Sequence, residues 1–123
     1  EEVTGNYQYV PGDYPYSLVI DGAHTNRSVE LVVQSADELK KRRLIIALEG
    51  EMLTEDTVKL VKKIADRLIL VSQSDMHLPG ADIVSSTEEA WLVAQRAAKK
   101  DDTLLLVGPS FLQDRSTLKV LNS

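Results

Sequence analysis

The chain has 123 residues, 43% hydrophobic and 27% charged, with a net charge of −5 at pH 7. That is the size and balance of a single globular domain with a sizeable core, not of a disordered chain. The absence of cysteine excludes disulfides, thiolate metal sites and a cysteine nucleophile and fits a cytoplasmic protein, while interspersed charges and short apolar runs argue against nucleic-acid or membrane partners.

The first residues, Glu1-Glu2-Val3-Thr4-Gly5, are not a signal peptide, and residue 1 is not Met, so a piece of a longer protein is expected. Residues 1–15 are rich in Gly, Pro and Tyr and read as a lead-in segment. A short strand is expected at 6–10 and a turn at Pro11-Gly12-Asp13. The four tyrosines lie at residues 7–16. They fit either packing of this segment or a partner-facing surface.

Residues 16–20 are a continuous apolar run, as in a strand buried on both faces. The run ends at Asp21-Gly22-Ala23-His24-Thr25-Asn26, where Thr25 or Asn26 can cap a helix. Val29, Val32, Val33, Ala36 and Leu39 then recur at helical spacing and give one apolar face. Lys40-Lys41-Arg42-Arg43 is read as cations at a helix end, facing exposed carbonyls.

Residues 44–48 form a second buried strand, broken at Glu49-Gly50-Glu51. Thr54 starts a helix with Glu55 and Asp56 in its first turn, and Val58, Val61, Ile64 and Ala65 make its apolar face. A third strand covers 68–71, and 72–80 read as a loop. A short fourth strand is expected at 81–85. Ser86 and Glu89 have the spacing of a reciprocal capping box before a helix through Ala90, Trp91, Ala94, Ala97 and Ala98, with Trp91 in the core. A fifth strand covers 103–107, followed by Gly108-Pro109-Ser110 as a loop and a last helix over 113–121.

Apolar strands alternating with amphipathic helices predict an α/β fold. It has three layers, with a mostly parallel sheet of five to six strands and helices on both faces, as in Rossmann-like domains. No linker divides residues 1–123. In open sheets of this kind ligands bind beyond the carboxyl ends of the strands. Five loops qualify: 21–26, 49–54, 72–80, 85–87 and 108–112.

The first loop is the richest. Asp21 ends a buried strand and can accept from ribose hydroxyls, while the following helix N-terminus can face phosphate. Equally, Asp21 can satisfy turn amides and His24 can pack or cap. His77 with Asp75 reads as an exposed loop pair rather than a metal site. Ser110 lacks the G-x-S-x-G context of a hydrolase nucleophile, and neither G-x-x-x-x-G-K-[ST] nor G-x-G-x-x-G is present. A receiver-type domain would need a phosphoacceptor aspartate where Ser72 follows the third strand.

Leu18-Val19-Ile20-Asp21-Gly22-Ala23-His24-Thr25-Asn26 resembles the segment that opens the carboxy-terminal domain of Mur-type ATP-dependent ligases, folylpolyglutamate synthases in particular. The resemblance continues in Arg43-Leu44-Ile45-Ile46-Ala47-Leu48, in residues 65–72, and in residues 87–107 with Asp102 before the last strand and Gly108 after it. It covers the chain in order of elements, and the Asp-Gly-Ala-His segment is its most specific part.

The resemblance implies a domain that closes over ATP and Mg held mainly by a central domain outside this chain. Such ligases join an amino-acid or glutamyl substrate to a carboxylate through an acyl phosphate. It places Asp21 at the ATP ribose and His24 near the nucleotide, with Thr25 and Ser110 toward the amino-acid substrate. Asn6 falls where the family carries a nucleotide-contacting Arg, and it offers neither the charge nor the fork of a guanidinium. The loop at 49–56 has no Lys or Arg where the family places an Asp-Lys pair. A noncatalytic relative that binds a partner is the alternative these two departures leave open.

Overall fold

The computed structural model describes residues 8–73 and 78–113 of the chain. The elements are β1 (Gln8–Tyr9), β2 (Ser17–Asp21), α1 (Asn26–Leu39), β3 (Leu44–Glu49), α2 (Glu55–Ile64), β4 (Arg67–Val71), β5 (Asp82–Val84), α3 (Thr87–Ala97), β6 (Thr103–Val107) and α4 (Pro109–Gln113). One sheet runs in the order β1-β2-β6-β3-β4-β5. All neighbours are parallel except the β1–β2 pair.

Because side chains alternate along a strand, the sheet sends two sets of apolar residues to opposite faces. Leu18, Ile20, Ile45, Ala47, Leu104 and Leu106 pack with Ala90, Trp91 and Ala94 of α3 and Phe111 of α4. Val19, Leu44, Ile46, Leu48, Leu105 and Val107 pack with Val29, Val32, Val33 and Ala36 of α1 and Val58 and Val61 of α2. The expected three-layer α/β fold is therefore the one observed. β6, central and fully buried, returns between β2 and β3 after the chain has moved outward to β5. The chain leaves β2 and β3 toward one face and β6 toward the other, which makes a topological switch point around the end of β6.

Several local expectations shift. Leu39 is 63% exposed rather than in the apolar face, because it is the last residue of α1 and lies past the sheet. The last turn of α1 carries no basic residue. Lys40 caps the helix and pairs with Asp37 and Asp66, while Arg42 and Arg43 turn to the buried Asp102. The fourth strand is three residues long. Gly108-Pro109-Ser110 is not an open loop: Pro109 begins α4, as proline's fixed φ and missing N–H suit a first helical position. The expected helix at 113–121 lies outside the described residues beyond Gln113. Among the described residues, no helix is long and apolar enough to cross a membrane.

Candidate functional site

Asp21 is the last residue of β2 and is fully buried. Its Oδ1 accepts from the Ala23 N–H at 2.8 Å, closing a tight turn. Its Oδ2 is buried and finds no hydrogen-bond partner among the described residues. Burial pushes its pKa up to about 6, only partly opposed by the Ala23 amide. Turn satisfaction therefore accounts for one carboxylate oxygen and leaves the other buried without a partner among the described residues.

His24 is exposed, which removes packing as its role; its Nδ1 lies 3.4 Å from the Gly22 carbonyl oxygen. Thr25, not Asn26, caps α1. Its hydroxyl accepts from the Ser28 N–H at 3.2 Å, and the Ser28 hydroxyl oxygen accepts from the Thr25 N–H at 3.1 Å, a complete capping box. The box expected at Ser86 is made differently: Ser86 accepts from the Glu89 N–H, but the Glu89 carboxylate accepts from the N–H and hydroxyl of Ser85.

Beside Asp21 on the sheet lies the end of β6. The Gly108 N–H donates to the Asp21 carbonyl at 2.8 Å. Gly108 has φ +143°, and a Cβ there would collide with the Glu49 carboxylate. Glu49 ends β3, and its Oε1 accepts from the Ser110 N–H at 2.7 Å. Ser110 is thus at the rim, as expected, but its backbone amide already holds an anion from the chain itself. Nothing in the sequence spacing announces a bond between residues 61 apart. The only signal is a carboxylate ending an otherwise apolar strand.

The remaining loops are braced in the same way. Glu51 Oε2 accepts from the Ser72 hydroxyl at 2.9 Å and from the Gln73 N–H. Asn26 accepts from Thr54, the cap residue of α2. Asp21, Gly108 and Glu49 thus stand in that order across the carboxyl ends of β2, β6 and β3, with His24 and Thr25 following Asp21 and Ser110 bonded to Glu49. Asn6, Asp75 and His77 lie outside the described residues. Among the described residues, no three His, Asp or Glu side chains converge as a metal ion would require.

A family model described as the Mur ligase, glutamate ligase domain matches residues 7–110. No curated protein sequence matches the chain. Among solved structures, a domain from Haemophilus ducreyi, assigned to a UDP-N-acetylmuramate:L-alanyl-γ-D-glutamyl-diaminopimelate ligase, superposes with a TM-score of 0.70 at 15% identity. The match covers 93% of this chain and 98% of that one. Escherichia coli FolC in complex with ADP gives 0.75 at 18% identity, over 98% of this chain and 32% of that one. The bifunctional folylpolyglutamate synthase/dihydrofolate synthase of Yersinia pestis gives 0.69 at 17% identity, over 99% and 32%. The chain therefore spans about a third of the length of these two enzymes, and at such identities the likeness is one of fold.

Proposed function

This chain belongs to the Mur ligase, glutamate ligase domain family, and on that premise we propose that it is the carboxy-terminal, nucleotide- and substrate-positioning domain of a cytoplasmic ATP-dependent amino-acid ligase. The observation that carries the reading is the orphaned carboxylate oxygen of Asp21 at the end of β2. A buried acceptor without a donor costs free energy and is uncommon in a native structure. A ligand hydroxyl such as that of a ribose is a donor of the right chemistry, and because the oxygen is sealed from solvent such a donor reaches Oδ2 only when the turn after β2 shifts to uncover it. Above pH about 6 the group is ionised and can only accept.

In this reading ATP supplies the phosphoryl group that activates a carboxylate, and it is held, with Mg, by a central domain. Asp21 fixes the sugar, exposed His24 faces the nucleotide from the same turn, and Thr25 and Ser110 stand toward an amino-acid or glutamyl substrate. None of these groups moves a proton in the reaction. They orient the reactants and help exclude water, which is where a closing domain contributes to rate.

A second reading, a noncatalytic relative that binds a protein partner, is favoured by one observation. The acids of the loop after β3 hold the chain's own groups, Glu49 on the Ser110 amide and Glu51 on Ser72 and Gln73, with no cation in residues 49–56 to hold an anionic ligand. Calorimetry with Mg-ATP on the gene product that carries this chain separates the two. ATP binding that weakens roughly tenfold or more in Asp21→Ala, the loss of a charge-assisted bond, supports the ligase reading. No binding, or binding indifferent to Asp21, leaves the partner-binding reading.

A further inference from the structure

The N-termini of α1 and α2 lie side by side at the carboxyl edge of the sheet and meet through polar groups at two points. Asn26 Oδ1 accepts from the Thr54 N–H at 2.8 Å and from the Thr54 hydroxyl at 3.2 Å. The Thr57 hydroxyl donates to Glu30 Oε2 at 2.8 Å. Residues 26 and 30 are four apart on α1 and so share a face. Neither bond is a helix cap. α1 is capped by Thr25 with Ser28, and α2 by the Thr54 hydroxyl accepting from the Thr57 N–H. What the Asn26 bond adds is a fixed relation between two loops.

Those two loops belong to a closed circuit. Asn26 joins the loop after β2 to the loop after β3. Glu49 joins the end of β3 to α4 through the Ser110 amide. The Gly108 N–H joins the end of β6 back to Asp21. Of the three closures the one at Asn26 is made by a side chain and an exposed residue, Thr54, so it competes most with water and is the link most easily opened.

We propose that Asn26 is a positioning residue: its side-chain oxygen locks the turn of Asp21 and His24 to the loop after β3, so that the two loops respond to a ligand as one unit. The proposal rests on the nucleotide reading for the identity of that ligand, but the mechanical coupling is a property of this chain. A half-exposed hydrogen bond contributes little to global stability. It contributes more to the placement of a turn whose carboxylate must meet a ligand within a fraction of an ångström.

Amide hydrogen exchange on the 123-residue chain and its Asn26→Ala and Asn26→Asp variants tests the coupling. In Asn26→Ala the Thr54 amide should exchange roughly tenfold faster, about the net worth of one hydrogen bond. The Ala23 amide, which Asp21 Oδ1 holds, should accelerate with it, while Leu105 in β6 keeps its protection. Asn26→Asp keeps the acceptor and should restore both. If Thr54 accelerates and Ala23 does not, the bond is a local brace and the proposal is overturned. Equal acceleration at Leu105 would overturn it too, as a mere loss of stability. Failure of the nucleotide reading looks different: the wild-type gene product binds no ATP while Ala23 and Thr54 remain coupled.

Discussion

Arg43 closes on Asp102 with both ends of its guanidinium, Nε 3.2 Å from Oδ1 and Nη2 2.6 Å from Oδ2. Asp102 is fully buried at the opposite edge of the sheet from the candidate site. It also accepts from Arg42 Nη1 at 2.6 Å and from the Lys99 N–H at 2.7 Å. Arg43 Nη2 reaches on to the Ala97 carbonyl, tying the end of α3 to the start of β3. The basic run after α1 is therefore a clamp on one carboxylate.

Burial alone would raise the pKa of Asp102, but the bonds from Arg43, the Lys99 amide and Arg42 outweigh it and hold the group below the usual carboxylate range. A depressed carboxylate stabilises the fold above its unfolded pKa near 4 and loses that contribution as pH falls through the folded value. Asp102→Ala should cost about 3 kcal/mol at pH 7 by denaturant unfolding. The deficit should shrink in strong acid, where the wild-type group is also protonated. Arg42, about half exposed, should cost under about 1 kcal/mol when truncated. A loss at Asp102 no larger than at Arg42 would contradict the clamp.

Asp21 runs the opposite way. Its folded pKa, pushed up to about 6 by burial, lies above the ordinary aspartate value of 3.8. The neutral form is therefore favoured by folding, so its stabilising contribution is complete below the unfolded pKa and is lost as pH rises through the folded one. Asp21→Asn removes that titration. Relative to wild type, the variant should gain stability between pH 4 and about 6.5 and hold a constant advantage above. A rise from 3.8 to about 6 bounds the gain at roughly 3 kcal/mol, less once relaxation and water are allowed for. Paired unfolding curves from pH 4 to 8 measure it, and a flat difference would show that the buried oxygen has a donor.

The strands, their order in the chain and three of the helices were legible because each is an uninterrupted apolar run or a 3.6-residue stripe, signals that need no partner to be read. Asp21 was legible for a related reason: a carboxylate closing an apolar run, before a glycine and a cap residue, marks the end of a buried strand at a turn. The sheet order was not legible, since nothing in 103–107 says that β6 inserts between β2 and β3. Nor was the fate of the acids after β3. Glu49 and Glu51 look like free charge in sequence because their partners, the Ser110 amide and Ser72, are brought to them only by the pairing of neighbouring strands. Arg42 and Arg43 were misplaced for the same reason, since their carboxylate lies on a distant segment.

Gly108 and Glu49 should behave as a coupled pair. Gly108 adopts a φ that side-chain-bearing residues rarely take, and an added Cβ meets the Glu49 carboxylate. Gly108→Ala should cost at least about 2 kcal/mol through strain and displace Glu49 from the Ser110 amide. Glu49→Ala should cost about 1 kcal/mol for the lost bond. The double variant loses that bond only once and removes the collision, so it should fall short of the sum by about 1 kcal/mol. Strict additivity in a denaturation cycle would mean that the backbone angle alone makes the glycine necessary.

Thr25 has two separable roles to test. As the cap of α1 its hydroxyl satisfies the Ser28 amide, and the Ser28 hydroxyl accepts from the Thr25 amide. Thr25→Ala should therefore cost about 1 kcal/mol with no ligand present, whereas Thr25→Ser keeps the capping oxygen and should be close to neutral. A substrate contact adds a second loss on top of the first: binding by the gene product weakens in Thr25→Ala by more than its lower stability explains, and recovers in Thr25→Ser. Because the cap stiffens the turn just after Asp21 and His24, some weakening is expected from the cap alone. Ser28→Ala resolves this, since it removes the reciprocal bond at the same helix end, and with it the 2.7 Å bond that the Thr25 hydroxyl donates to the Ser28 hydroxyl oxygen, while the Thr25 hydroxyl stays in place to accept from the residue-28 N–H and to meet a ligand. If Ser28→Ala weakens binding as much as Thr25→Ala does, Thr25 serves the site only through the helix it begins. If Thr25→Ala is clearly the worse of the two at equal stability, its hydroxyl meets the ligand.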